Sequence, residues 1–103
     1  MKTQVKHTPQ PWILVFDADN RRTSYFIRHG DRPIAHINEV WLPFQESVAN
    51  AHLIAAAPEL LEACKHAIRI LELYAPPDDP VAHKVIDILR TTINKAEGTP
   101  CPE

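Results

Sequence analysis

Three short apolar runs occupy the first part of the chain, and helical stripes follow them. Trp12-Ile13-Leu14-Val15-Phe16 is aromatic and β-branched, and Thr23 to His29 repeats that character. Ile34 to Trp41 alternates, with Ala35, Ile37 and Trp41 on one face and His36, Asn38 and Val40 on the other. Runs of this length and composition predict strands. The segments between them, Asp17-Ala18-Asp19-Asn20-Arg21-Arg22 and Gly30-Asp31-Arg32-Pro33, are built from turn-forming residues. Three strands joined so tightly predict an antiparallel meander over residues 12–41.

Beyond Pro43 the period changes. Gln45 to Ala57 reads as a helix, and its Ala55-Ala56-Ala57 run combines high helix propensity with small side chains that permit close packing. Pro58 predicts a break or kink at Ala57-Pro58, because proline disfavours helix for the residue before it and suits a first helical turn. A new helix is expected from there to about Tyr74, with Leu60, Leu61, Cys64, Ala67, Ile68 and Leu71 as its apolar stripe. Ala75-Pro76-Pro77-Asp78-Asp79-Pro80 is a stiff turn in which Asp79 suits an N-cap and Pro80 the first helical position. The last helix runs to Glu97 and stops at Gly98, with Val81, Val85, Ile88, Leu89 and Ala96 as its core face and Ile86 and Ile93 outside it.

The expected architecture is α+β: a three-stranded antiparallel β-meander followed by a helical layer of two to three helices. It forms one domain over residues 1–103, with a loose leader at 1–10, helices over 45–97 and a tail at 99–103. A short linker makes amphipathic helices antiparallel neighbours. One sheet face packs on the helices. The other, carrying Ile13, Val15 and Phe26, is wet in a monomer, and this mismatch predicts a homo-oligomer.

Composition narrows the function. With 45% apolar and 23% charged residues the chain is of ordinary globular make-up. Its formal net charge of -2 argues against general nucleic-acid binding, which draws its affinity from neutralising phosphates. No run of residues is long and apolar enough to suggest a membrane span, and the opening residues lack the apolar stretch of a signal peptide. Cys64 and Cys101 are too few and too far apart for a disulfide framework and read as reduced thiols in a cytoplasmic protein.

Catalytic chemistry finds little to work with. Cys64 and His66, two apart on a helix, point about 200° from each other and cannot share an ion. The sequence contains neither H-x-x-x-H nor C-x-x-C, so no metal and no cofactor is expected. Cys64 sits within an apolar stripe, where a structural thiol is the default. Asp17 and Asp19 are explained as turn residues. There are only two glycines, so no glycine-rich cradle can supply backbone amides to a phosphate. Any phosphate must be held by side chains, and the chain is not expected to be an enzyme. Four of the six arginines, Arg21, Arg22, Arg28 and Arg32, fall within twelve residues, interleaved with Tyr25, Phe26 and His29. Guanidinium forks suit phosphates and aromatic rings stack on bases. The hairpin therefore offers Arg28, Arg32, Tyr25, His29 and Arg22 as candidate nucleotide-binding residues. The competing reading is a solvated hairpin partly neutralised by Asp17, Asp19 and Asp31.

One segment is more specific. Ala49-Asn50-Ala51-His52-Leu53-Ile54-Ala55-Ala56-Ala57-Pro58-Glu59-Leu60-Leu61-Glu62-Ala63 resembles a helix recurrent in small phage and prophage proteins, and Thr8-Pro9-Gln10-Pro11-Trp12 is similar to their common opening. The resemblance implies a phage-encoded protein. The architecture, a small sheet and two C-terminal helices assembled into oligomers, is similar to that of the phage anti-Thoeris sponges. That likeness implies a counter-defence protein of the infected host's cytoplasm that sequesters a cyclic nucleotide-type immune signal. The alternative is a protein-directed inhibitor of a host defence enzyme, such as an anti-CRISPR.

Overall fold

The computed structural model describes residues 6–19, 22–38 and 44–98. Strands β1 (Ile13–Asp19), β2 (Arg22–His29) and β3 (Arg32–Asn38) form one antiparallel sheet in the order β1-β2-β3, and helices α1 (Phe44–Tyr74) and α2 (Pro80–Glu97) follow. This is the expected α+β meander followed by helices. Pairing extends further along the first hairpin than anticipated, to Asp19 opposite Arg22. Val40 and Trp41, expected on the third strand, lie outside the described residues, as do Arg21 and Cys101.

The second hairpin turns on Gly30, whose φ of 57° lies in the left-handed region that glycine enters without a Cβ penalty. Pro33 stands within β3, which residue patterning had assigned to the turn. It is tolerated because β3 is an edge strand and the ladder shifts register there, with Ile27 opposite Ala35 but Arg28 opposite Pro33. A residue without an N–H fits at an edge or a bulge.

The chain divides into two compact units, Met1–Pro58 and Glu59–Glu103. In the first, alternation along β2 sorts the sheet faces. Tyr25 and Ile27 are buried, while Phe26 is half-buried and Arg28 exposed. Cross-strand pairing places Leu14 and Ala35 beside Ile27, and Phe16 and Ile37 beside Tyr25. The Tyr25 ring meets Phe16 at 5.5 Å and Phe44, at the start of α1, at 6.4 Å. The helix therefore lies on the Tyr25 face. It does so through small residues: Ser47 and Ala51, one turn apart, are both wholly buried. The Ser47 hydroxyl has no hydrogen-bond partner among the described residues.

The break expected at Ala57-Pro58 is absent, because α1 is one helix of 31 residues with Pro58 inside it. Proline deprives the Ile54 carbonyl of its helical donor and costs roughly 3 kcal/mol in a helix interior. Strong formers on both sides, Ala55-Ala56-Ala57 and Leu60-Leu61, carry the helix across the gap, and the Pro58 ring is buried. Pro58→Ala restores the missing hydrogen bond but gives up buried ring surface. A net gain on the order of 1 kcal/mol is expected, read as a higher midpoint in thermal unfolding; a lower midpoint would show that the ring's packing outweighs the hydrogen bond.

The second unit is a helical hairpin. Asp79 caps α2 by accepting from the Val81 and Ala82 amides at 3.0 and 3.3 Å, Pro80 opens the helix, and Gly98 closes it at φ 71° with its N–H directed to the Lys95 carbonyl at 3.3 Å. Lys65 pairs with Glu97, and Arg90 with Glu72 at 3.2 Å. The hydrogen bond from Lys65 to the Glu97 carboxylate raises the lysine pKa above its ordinary value.

These ion pairs correct the expected core face of α2. Arg90 and Glu97 reach α1 from the edge of the hairpin, and the adjoining stripe faces inward, with Ala82 and Ile86 buried and Leu89 and Ile93 half-buried. Val81, Val85 and Ile88, expected inside, are exposed, as is Ala96. The helix carries two apolar stripes, and patterning alone selected the wrong one. On α1, Leu60 is likewise exposed, while Leu61, Cys64, Ala67, Ile68 and Leu71 are buried or half-buried.

Candidate functional site

The open face of the sheet carries the best candidate. Phe26 on β2 and His36 on β3 are cross-strand partners, and their rings stack at 4.5 Å with an interplanar angle of 7°. Val15 is paired with Phe26 from the other side, and Ile13 is paired with Arg28. By the two-residue period of the strand, Arg28 shares the face of Phe26. Both Arg28 and His36 are exposed. A flat aromatic pair, an apolar floor and one guanidinium are thus presented together on rigid strands.

The five arginine-hairpin candidates are not brought together as one set. Arg28 belongs to this face. Tyr25 does not offer the stacking surface expected of it, because it points to the opposite face and is buried against Phe16 and Phe44. His29 and Arg32 are paired across the turn, and the His29 Nδ1 lies 3.2 Å from the Pro11 carbonyl oxygen. Alternation places them on the Tyr25 side of the hairpin, away from Arg28. Arg22 begins β2, at the far end of the hairpin from Arg28. Sequence reasoning passed over His36. The signal was available, since register fixes which residue of the third strand lies beside Phe26, but that register depends on the bulge at Pro33.

The leader borders this hairpin. The Trp12 indole N–H donates to the Thr8 carbonyl at 2.9 Å, and the ring of His7 meets Trp12 edge-on at 6.0 Å. These contacts, with that of His29, hold residues 7–12 at the mouth of β1.

A second concavity, of about 350 Å³, lies at the closed end of the helical hairpin between Leu71, Ala75, Pro77 and Ile86. Its polar groups already have partners. Arg90 is held by Glu72 and lies 3.9 Å from Asp87, and His83 is hydrogen-bonded to the Pro77 carbonyl. It offers less to a ligand than the open sheet face. Among the described residues no group of three or more His, Cys, Asp or Glu side chains is placed to hold a metal ion. Cys64 is a free, half-buried thiol. No helix is long and apolar enough to cross a membrane among those residues.

The family described as Salmonella phage P22 protein Y8K6 matches residues 1–100. The chain belongs to that phage protein family. The match covers the meander and both helices, so sheet and hairpin are parts of the family unit. No curated protein and no solved structure matches the chain.

Proposed function

We propose that this phage protein is a counter-defence binding protein of the infected host's cytoplasm, and that it sequesters a nucleotide-type immune signal, cyclic nucleotides being the favoured class, on the open face of its sheet. The observation that carries this reading is the stacked Phe26–His36 pair beside Arg28. A sheet face that presents an exposed imidazole stacked on a half-buried phenyl ring is a platform for a base, and stacking is worth roughly 1–3 kcal/mol per base. The phosphate is assigned to Arg28 because no glycine loop exists to hold it, and a fork of five donors suits it. The protein acts as a homo-oligomer without a cofactor, and binding rather than turnover is its task.

The test is direct. Purified protein is incubated with a mixture of cyclic mono- and dinucleotides, washed and heated. Intact nucleotide is expected in the released fraction, and its absence overturns the sponge reading. In calorimetric titration with the recovered nucleotide, Arg28→Ala is expected to weaken binding about tenfold or more, since a charge-assisted hydrogen bond contributes roughly 1.5–3 kcal/mol. His36→Ala is expected to weaken it comparably, and Arg22→Ala is expected to change little. Unchanged affinity in Arg28→Ala would move the ligand off this face.

A second reading, a protein-directed inhibitor such as an anti-CRISPR, is favoured by one observation. Ile13 is 53% exposed on the same sheet, and apolar exposure of this kind suits a protein partner better than a nucleotide. Capture of a defined host defence protein by ligand-free material, with no nucleotide released on heating, would select it.

A further inference from the structure

The helical hairpin has a second apolar face that its own packing leaves mostly exposed, Ala67 alone of its α1 residues being half-buried. On α1, Leu60, Ala63, Ala67, Ile70 and Tyr74 follow the alternating three- and four-residue spacing of a coiled-coil seam. Leu60 is 48% exposed, Ile70 45% and Tyr74 80%. On α2, Val81, Val85, Ile88 and Thr92 repeat the spacing, with Val81 69% and Ile88 56% exposed.

The two stripes fall on the same side of the hairpin. At 100° per residue, each stripe is rotated roughly 100° from the side of its helix that faces the other. The ion-pairing residues Lys65 and Glu72 on α1, and Arg90 and Glu97 on α2, are rotated the opposite way. Those residues pair across the hairpin, so they mark one edge of it. In an antiparallel pair, equal rotations seen from each helix's own N-terminus lead to the same side. The ion pairs thus occupy one surface of the hairpin and both apolar stripes the other.

We propose that a second copy of this chain covers that surface, so that two hairpins pair face to face as a four-helix bundle. This deepens the homo-oligomer reading given above and does not depend on the ligand. Three observations support a second copy as the occupant. The first is the thinness of the hairpin's own core, in which Leu61, Ala82 and Ile86 are the buried apolar residues. A single layer of two helices needs another layer to complete a core. The second is area. The six large exposed side chains of the two stripes present on the order of 600 Å², close to the roughly 800 Å² per partner of a standard interface. The third is charge. By the same helical geometry, Glu59 borders the seam on the α1 side, and Lys84 and Lys95 border it on the α2 side, all of them exposed. Among the described residues none of the three is in an ion pair. A two-fold axis parallel to the helices lays α1 of one copy on α2 of the other, and so brings Glu59 against the lysine-bearing rim. The alanines at positions 63 and 67 permit close approach along the seam.

The test is the mass of the ligand-free protein by sedimentation equilibrium at low micromolar concentration. The parent is expected to be a dimer. Ile70→Glu/Ile88→Glu is expected to be a monomer with unchanged helical circular dichroism, because both side chains are exposed within one copy. Ile13→Glu, on the sheet, is expected to remain a dimer and serves as the control. A monomeric parent would overturn the proposal, as would a double variant that keeps the parent's mass. If the control alone dissociates, the copies meet through the sheet instead. Nucleotide release by the monomeric double variant keeps the two proposals separable: loss of the dimer with release retained leaves the sheet-face reading standing.

Discussion

Ile27→Ala is expected to be among the most damaging substitutions in this protein, lowering the unfolding free energy by about 2–5 kcal/mol. Ile27 lies on the central strand and has no exposed surface. Its neighbours Leu14 and Ala35 stand on paired strands that cannot collapse inward without breaking their ladders. The deleted methyl groups therefore leave a cavity, and the lost transfer energy is increased by the cavity's own cost. Set against a total stability of about 5–15 kcal/mol for an ordinary domain, the variant has little margin. Urea titration followed by near-ultraviolet circular dichroism of the tyrosine and tryptophan bands measures the effect. An unchanged midpoint would mean that the Tyr25 face is not the core of the first unit. The neighbouring Phe26→Ala is the contrast, since it empties the half-buried face and is expected to cost less.

That contrast rests on alternation, and alternation is what the sequence made legible. The strands were recognisable because aromatic and β-branched residues cluster there, and the wet face of Ile13, Val15 and Phe26 was separable from the covered one. The ends of α2 were legible for local reasons. Asp79-Pro80 and Gly98 carry their own capping chemistry, and neither depends on what lies across the hairpin. Pro58 failed for the opposite reason. A proline's cost is local, but whether a helix bears it depends on the strength of its flanks and on the burial of the ring. The α2 core face failed because two stripes compete on one helix, and which of them is covered is decided by packing against another element, where Ala82 and Ile86 are buried and Arg90 and Glu97 find partners.

The same division applies to the candidate site. The density of arginines in the first half was visible, yet a count along the chain cannot say which guanidinium shares a face with which ring. Tyr25 and Phe26 are adjacent in sequence and lie on opposite sides of the sheet, so one belongs to the core and the other to the open surface. Arg28 and Arg32 flank one turn but are divided by the pleat. His36, ten residues from Phe26, becomes its stacking partner only through the register of β3, and the bulge at Pro33 sets that register. Family membership identifies a phage protein.

Ala51→Leu is expected to destabilise the first unit by about 1–3 kcal/mol, although leucine has as strong a helix propensity as most residues and adds apolar surface. Ala51 and Ser47 are one turn apart on α1 and neither has any exposed surface. The helix approaches the Tyr25 face at the places where its side chains are shortest. A leucine there must displace the helix from the sheet, or force itself and its neighbours off their preferred rotamers. Intrinsic propensity predicts a loss of only a few tenths of a kcal/mol, because alanine is the strongest helix former, and packing predicts a larger one, so the magnitude decides between them. Ala56→Leu is the control, because Ala56 lies on the same helix but is exposed, and its effect is expected to stay within about 0.5 kcal/mol. Thermal unfolding of both variants beside the parent measures the difference. A lower midpoint for Ala51→Leu alone identifies the close approach of α1 to the sheet as the constraint. Equal midpoints would mean that α1 does not pack closely at Ala51.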